Sequence, residues 1–297
     1  MKKLSIITAT YNREKCLKTC WESLKKQTCK DFQWIIVDDG STDNTKEVVK
    51  QFKLDSPDMH IDYVYKQNGG KHTAINTSYK YIQGDYSMTL DSDDRLLPNA
   101  VEQILKAWET YGKDPDVGQV IFLRGYSNEE PICYVKHEKV PLDTLKEPRI
   151  STKGRERDCN DVFKSSLFKK YPFPVFDGEK FIGEGSSFFF IQQESKGVYI
   201  NKVVCVGDYR NDGLTSAGRK MRLSNPLGGR FDSKVHMSNR MPMKIRIKKG
   251  ILYTCYSKIA KISFKKTISE NQYKILTIFT YIPGVMLYHY WKKKYLS

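Results

Sequence analysis

The chain has 297 residues, 39% hydrophobic and 28% charged, which supplies a packed core and excludes a wholly disordered chain. It carries no repeat of roughly 20–50 residues, so a solenoid is excluded as well. The net charge is +16, and the whole excess lies in residues 218–297, which hold 18 Lys and Arg against only Asp232 and Glu270; a neutral body with a basic end points to an anionic surface, phospholipid or nucleic acid.

Residues 4–10 (LSIITAT) are short and rich in β-formers, and read as a buried strand broken by Tyr11-Asn12-Arg13. Leu17, Cys20, Trp21 and Leu24 give a helix over 14–27. The run before them, Leu4–Ala9, is too short for a signal peptide despite the basic Met1-Lys2-Lys3 start. Gln33–Val37 is a second strand, closed by Asp38-Asp39-Gly40-Ser41, and Thr42 or Asp43 caps a helix to about Phe52. A third strand over 61–66 leads to a turn at Asn68-Gly69-Gly70 and a helix Thr73–Ile82. The fourth strand, Tyr86–Leu90, runs into Asp91-Ser92-Asp93-Asp94, and Pro98 opens a helix through about Tyr111.

Beyond this, Gly118–Leu123 is a strand and the stretch around Ile132–Val135 is hairpin-like. Phe173–Phe176 precedes an aromatic helix opened by Gly183-Glu184 and carrying Phe188, Phe189, Phe190 and Ile191. Val198–Val206 is another strand, and Arg210–Arg219 reads as a mobile loop. The seven cysteines are odd in number and contain no C-x-x-C pair, so neither a disulfide framework nor a zinc ribbon is indicated. Cys16 and Cys20, four apart, read as small core residues rather than half a metal site.

Strands alternating with helices predict βαβ units, hence an α/β fold with a mainly parallel, right-handed sheet. Such sheets bind ligands beyond the carboxyl ends of their strands. Three polar clusters fall there: Thr10-Tyr11-Asn12, Asp38-Asp39 and Asp91-Ser92-Asp93-Asp94. Asp91-x-Asp93 can hold one hard cation, Mg2+ or Mn2+, together with substrate phosphates and water; a solvated turn is the structural alternative. There is no P-loop, no G-x-G-x-x-G after the first strand and no G-x-S-x-G. Tyr11 offers a flat face for a base, and Asp39 an acceptor for a base imide N–H, where a packed Tyr and a helix-capping Asp are the alternatives.

The segments LSIITATYNR, WIIVDDGSTDNT, NGGKHTAIN and MTLDSDD, in this order, resemble the nucleotide-sugar-binding domain of family 2 glycosyltransferases, which have the GT-A fold. The resemblance covers residues 1 to about 97 closely and reaches about 217 more loosely. It implies that Thr8 and Tyr11 line a uracil pocket and that Asp39 binds the base. It further implies that Lys71 lies near the diphosphate and that Asp93 holds the metal with Asp91. Thr10 and Ser92, with Asp91, are counted as nucleotide-sugar-binding. Members of this family place a carboxylate base at the start of a helix. Gly183-Glu184-Gly185-Ser186-Ser187-Phe188 matches that pattern and carries Glu184 over as base, with Asp177 and Glu179 as nearby candidates. The absence of Q-x-x-R-W, which processive members carry, favours one sugar per visit. The expected chemistry is transfer from a UDP-sugar with inversion, using Mn2+ or Mg2+, to a hydroxyl of a glycan or lipid-linked acceptor in surface polysaccharide synthesis.

The expected division is a transferase domain over 1–217, with a nucleotide half to 97 and an acceptor half from 98, followed by a basic helical region over 218–297. In that region 243–266 reads as one basic amphipathic helix suited to an anionic bilayer or docked on the domain. The run 275–291 has no charged side chain, yet its 17 residues reach only about 25 Å as helix. With Pro283-Gly284 inside it, the run reads as an interfacial or re-entrant anchor rather than a span, a dimerisation helix being the other reading. The expected location is therefore cytoplasmic, peripheral on the inner membrane face. A nucleic-acid-binding module and a nucleotidyltransferase are the competing readings. The aromatics of the tail gather beside apolar residues rather than among lysines, so no nucleic acid is expected. The segment TYNREK offers a nucleotidyltransferase only Arg13 and Lys15.

Overall fold

The computed structural model describes residues 2–127, 129–152, 158–207 and 214–296. It divides into two compact units, Met1–Pro172 with Ile191–Asp208, and Phe173–Phe190 with Tyr209–Ser297. The division therefore differs from the expected boundary at 217, because the segment 173–190 groups with the C-terminal region.

In the first unit the alternation is β1 (Leu4–Thr10), α1 (Leu17–Lys25), β2 (Phe32–Asp38), α2 (Thr45–Asp55), β3 (His60–Tyr65), α3 (Lys71–Ser78) and β4 (Tyr86–Thr89). Then follow β5 (Arg95–Leu96), α4 (Ala100–Tyr111), β6 (Val117–Gly125), the short β7 (Cys133–Tyr134), β8 (Pro141–Leu142) and β9 (Ile150–Ser151), and β10 (Cys159–Lys164) with α5 (Ser165–Lys170). Helix α6 (Gly185–Glu194) leads into β11 (Lys196–Val206). The main sheet has the order β3-β2-β1-β4-β10-β6-β11-β5, with β8 on β11, while β7 and β9 pair separately. Strands β1 to β4 are mutually parallel, as are β6 and β11. Strand β10 runs antiparallel between β4 and β6 and was not foreseen.

The core explains the order. Strand β2 is buried along its entire length, as a strand covered on both faces must be. On one face Leu4, Ile6, Trp34 and Ile36 pack under α1 and α2, where Trp21 stacks on Phe52 at 4.6 Å. Cys20 is buried in that layer, as its helical spacing predicts.

The second unit is helical. It holds the start of α6, then α7 (Leu214–Ser224), α8 (Pro226–Val235), α9 (Met243–Ile259), α10 (Phe264–Ser269) and α11 (Lys274–Trp291), closed by a π-helical turn at Lys292–Leu296. The expected loop at 210–219 is helical from Leu214, with a break at Gly218 (φ 49°), and its part over 210–213 lies outside the described residues. The single helix expected over 243–266 is two, because Lys261 takes a positive φ of 57° and Ser263 caps a new start. Helix α11 is continuous through Pro283, and no described helix is long and apolar enough to cross a membrane. Helices α9 and α11 run parallel in close contact: Gly250 faces Thr280 and Gly284 faces Thr254. A small core of Leu223, Cys255, Tyr256 and Trp291 lies beside them.

Candidate active site

Adjacent parallel strands β1, β2 and β4 end together, and their carboxyl ends carry the polar clusters. Tyr11, just past β1, is 49% exposed and presents its ring to solvent. Asp38 closes β2 and is structural: its carboxylate accepts from Ser41 N (2.7 Å) and from the Tyr63 hydroxyl (2.7 Å). Burial above all, and then that contact, moves the Tyr63 phenol upward from its ordinary range.

Asp39 is the hub. Its Oδ1 accepts from Lys66 Nζ (2.7 Å) and Gly69 N (3.0 Å), and its Oδ2 from Gly70 N (2.6 Å) and Asn68 Nδ2 (3.2 Å). A carboxylate offers about four lone-pair positions, so the 66–70 segment saturates this one. The positive φ of Gly70, 95°, lets two successive amides turn inward. Lys66 was not singled out from sequence, nor was Asn68 beyond its place in a turn. Lys66 Nζ also reaches Gln67 O (2.5 Å) and Thr73 Oγ1 (2.9 Å).

Lys71 opens α3 and donates to Asp91 Oδ1 at 2.5 Å. Asp39 and Asp91 are thus joined through one segment, 66–71. Desolvation works upward on the Asp91 carboxyl, but the charge and hydrogen bond of Lys71, helped by Arg124, hold it below the usual carboxylate range. Next to Lys71, His72 is 2% exposed and neither ring nitrogen has a hydrogen-bond partner. Burial pushes its pKa down, against the pull of Asp39 and with the push of Lys66.

The Asp91–Asp94 turn is held from below. Asp94 N donates to Asp91 O at 3.1 Å, and Arg124 of β6 makes a two-armed ion pair to Asp94 (3.0 and 2.7 Å). Burial disfavours the guanidinium charge, yet Asp94 holds it well above the ordinary range. Ser92 is buried and Asp93 half-buried. No hydrogen bond or ion pair engages the Asp93 carboxylate among the described residues. The donor chemistry fits a hard divalent cation: one carboxylate without a protein partner and a second two residues away. No group of three His, Cys, Asp or Glu converges among the described residues, so phosphate oxygens and water would complete the shell, as Mg2+ and Mn2+ accept.

The Thr8 side chain is fully buried and accepts from Trp34 Nε1 at 2.9 Å, and the two-residue period of β1 places it on the same face as Leu4 and Ile6. Thr10 is 2% exposed and its Oγ1 is buried without a partner.

Glu184 lies in the second unit immediately before α6, and its carbonyl accepts from Ser187 N (3.1 Å) and Phe188 N (3.2 Å). It therefore occupies the helix start that its sequence pattern predicts. Glu179, the alternative carboxylate, accepts from Leu227 N (2.6 Å) and Gly228 N (2.7 Å) and so caps α8. Burial raises its pKa, against those two donors. Asp177 is exposed.

The Glycosyl transferase family 2 profile matches residues 5–173. The chain is 28% identical over 294 residues to the GalNAc(5)-diNAcBac-PP-undecaprenol beta-1,3-glucosyltransferase of Campylobacter jejuni, covering 93% of this chain and 86% of that protein. It is 29% identical over 174 residues to the teichoic acid poly(glycerol phosphate) polymerase of Staphylococcus epidermidis, 58% of this chain but only 23% of that one. It spans 16% of the glycosyltransferase GlyA of Streptococcus pneumoniae. Among solved structures, S. aureus TarS in complex with UDP-GlcNAc superposes with TM-score 0.58 at 17% identity, over 96% of this chain and 80% of that one. The mannosyltransferase PcManGT of Pyrobaculum calidifontis, in complex with GDP-Man and Mn2+, gives TM-score 0.58 at 16% identity, over 98% and 86%. These likenesses identify the fold as GT-A, and with the family profile spanning more than half of its length the chain belongs to glycosyl transferase family 2.

Proposed function

We propose that this chain moves a sugar from a UDP-sugar to a hydroxyl of a glycan or lipid-linked acceptor, with inversion, during synthesis of a cell-surface polysaccharide. The observation that carries the reading is the strand-end cluster. An exposed Tyr11, the Asp39 hub and an Asp93 carboxylate without a protein partner lie around the Lys71–Asp91 pair. The name of the Campylobacter jejuni relative contains PP-undecaprenol, which supports a lipid-linked acceptor.

In this reading uracil stacks on Tyr11, and its imide N–H takes an Asp39 oxygen. Lys66 is the donor that yields, since Gln67 O and Thr73 Oγ1 already receive its other protons. Lys71 meets the negative charge that develops on the leaving diphosphate. Held by Asp93 and Asp91, Mn2+ or Mg2+ supplies further electrostatic stabilisation of that diphosphate. Glu184 takes the acceptor proton. The basic second unit keeps the enzyme on the anionic inner face of the cell membrane.

Hydrolysis and transfer measured over a panel of UDP-sugars with Mn2+ test this. One donor is expected to turn over in the wild type, and Asp93→Asn should lose Mn2+-dependent UDP binding in calorimetry while its melting temperature holds. UDP affinity unchanged in Asp93→Asn would remove the metal role.

A further inference from the structure

Within the second unit, α7, α9 and α11 enclose a groove of about 810 Å3. Its charged side chains are all cationic: Arg219 and Arg222 from α7, Lys244 and Lys248 from α9. No ion pair to any of the four is found among the described residues. The described acids of this unit that form pairs serve others, Asp232 with Lys249 and His236, and Glu270 with Arg230 and Lys266. Arg219 is held in place by stacking over Trp291 (4.9 Å) and by donating to the Tyr295 hydroxyl (3.1 Å). The walls are apolar, with Ile247, Ile251 and Leu287 among them.

Tyr290 belongs both to this groove and to a second feature. Along α11, Ile275, Phe279, Ile282, Met286 and Tyr290 are 56–78% exposed at helical spacing, so one whole face of the helix is apolar and uncovered. Such a face beside unneutralised cations is the pattern of a helix lying in a lipid interface.

We propose that the groove seats an anionic phospholipid of the bilayer. Its phosphate lies among Arg222, Lys244 and Lys248, its chain lies against Ile247, Ile251 and Leu287, and the α11 face enters the interface alongside. This rests on the membrane-docking part of the proposed function and deepens it by giving the occupant and its site. Single-stranded nucleic acid fits less well, because base stacking needs open rings. Of the three groove aromatics, Tyr256 and Trp291 are only 5% and 6% exposed and Arg219 covers the latter, so Tyr290 alone offers an open ring, too few for a run of stacked bases.

The test is flotation of the full chain with phosphatidylcholine vesicles and with vesicles also containing phosphatidylglycerol. The wild type should float with the anionic vesicles only. Arg222, Lys244 and Lys248 are exposed, so changing all three to Gln spares the fold. Each contributes roughly a five-fold gain near an anionic surface, so the triple variant should bind on the order of 100-fold more weakly. Ile282→Asp should weaken binding without altering its preference for anionic lipid. Binding within two-fold of wild type in the triple variant would overturn the groove site and leave membrane docking standing, whereas no flotation of the wild type with either vesicle would overturn both. Complete displacement by excess glycerol 3-phosphate would overturn it in favour of a soluble phosphate. Tight capture of a labelled oligonucleotide in place of vesicles would overturn it, as would a dimer in light scattering that Ile282→Asp breaks while vesicles are ignored.

Discussion

At the scale of single residues, the two neighbouring glutamates have separable jobs. Glu184→Gln is nearly isosteric and should lower turnover by roughly 10²–10⁴-fold with donor affinity and melting temperature unchanged. Glu179→Gln should do the reverse. It leaves one of the Leu227 and Gly228 amides facing an NH2 group and weakens the charge at the α8 N-terminus, at a cost of about 1–3 kcal/mol. Paired kinetics and thermal melts check both, and a stable, inactive Glu179→Gln would move the base there. His72 sets a pH dependence. Its folded pKa lies below the unfolded value, so the unfolded chain binds more protons on the acid side. The stability is therefore fully present above the unfolded pKa of about 6.5 and is lost as pH falls from there through the folded value. Wild-type melting temperature should drop more steeply between neutral pH and pH 5 than that of His72→Gln; parallel curves would show that His72 does not titrate there. The places of Tyr11, Asp39 and Asp93 at strand ends were legible from the strand pattern. Lys66 and Arg124 were not, since each gains its role from a partner 27 or 30 residues away.

At the scale of elements, β1 and β2 could be read directly as buried apolar runs between helical patterns, and β3 and β4 followed from their place in the same alternation. Strand β10 could not. Its six residues, CNDVFK, mix polar and apolar types, and its place is fixed only by pairing with distant β4 and β6. The Pro283-Gly284 pair read as a helix break for sound local reasons, since Pro removes an N–H and crowds the preceding turn. The helix survives with the proline on its exposed side, while Gly284 serves the contact with α9. A Cβ there would lie 2.5 Å from Thr254 Cβ and 2.8 Å from Ile251 O. Helix propensity alone favours Gly284→Ala by about 1 kcal/mol. Overpacking against a backbone oxygen costs about 1–3 kcal/mol and should win. Gly284→Ala is expected to melt lower, and adding Thr254→Gly should cost less than the sum of the single changes. A more stable Gly284→Ala would show that the two helices are free to move apart.

At the scale of the whole molecule, charge and core divide along the same chain. Residues up to 217 are balanced, and the +16 lies beyond them. The buried cluster around Trp34 and Val120 belongs to the first unit, and that of Leu223, Tyr256 and Trp291 to the second. Composition revealed the charge asymmetry at once. It could not reveal that 173–190 joins the basic region, because that grouping rests on contacts such as Lys180 N to Asn225 Oδ1 (2.7 Å). Separate cores lead us to expect two cooperative transitions in calorimetry of the full chain. A ligand raises the stability of the unit that binds it by RT ln(1 + [L]/Kd), about 2.7 kcal/mol at a hundred-fold excess over Kd. UDP with Mn2+ should therefore raise the transition of the first unit, where Tyr11, Asp39 and Asp93 lie, and leave the other in place. Anionic lipid in detergent micelles should shift only the transition of the second unit, less so as salt screens its cations. A single transition that both ligands move together would show instead that the two cores unfold as one.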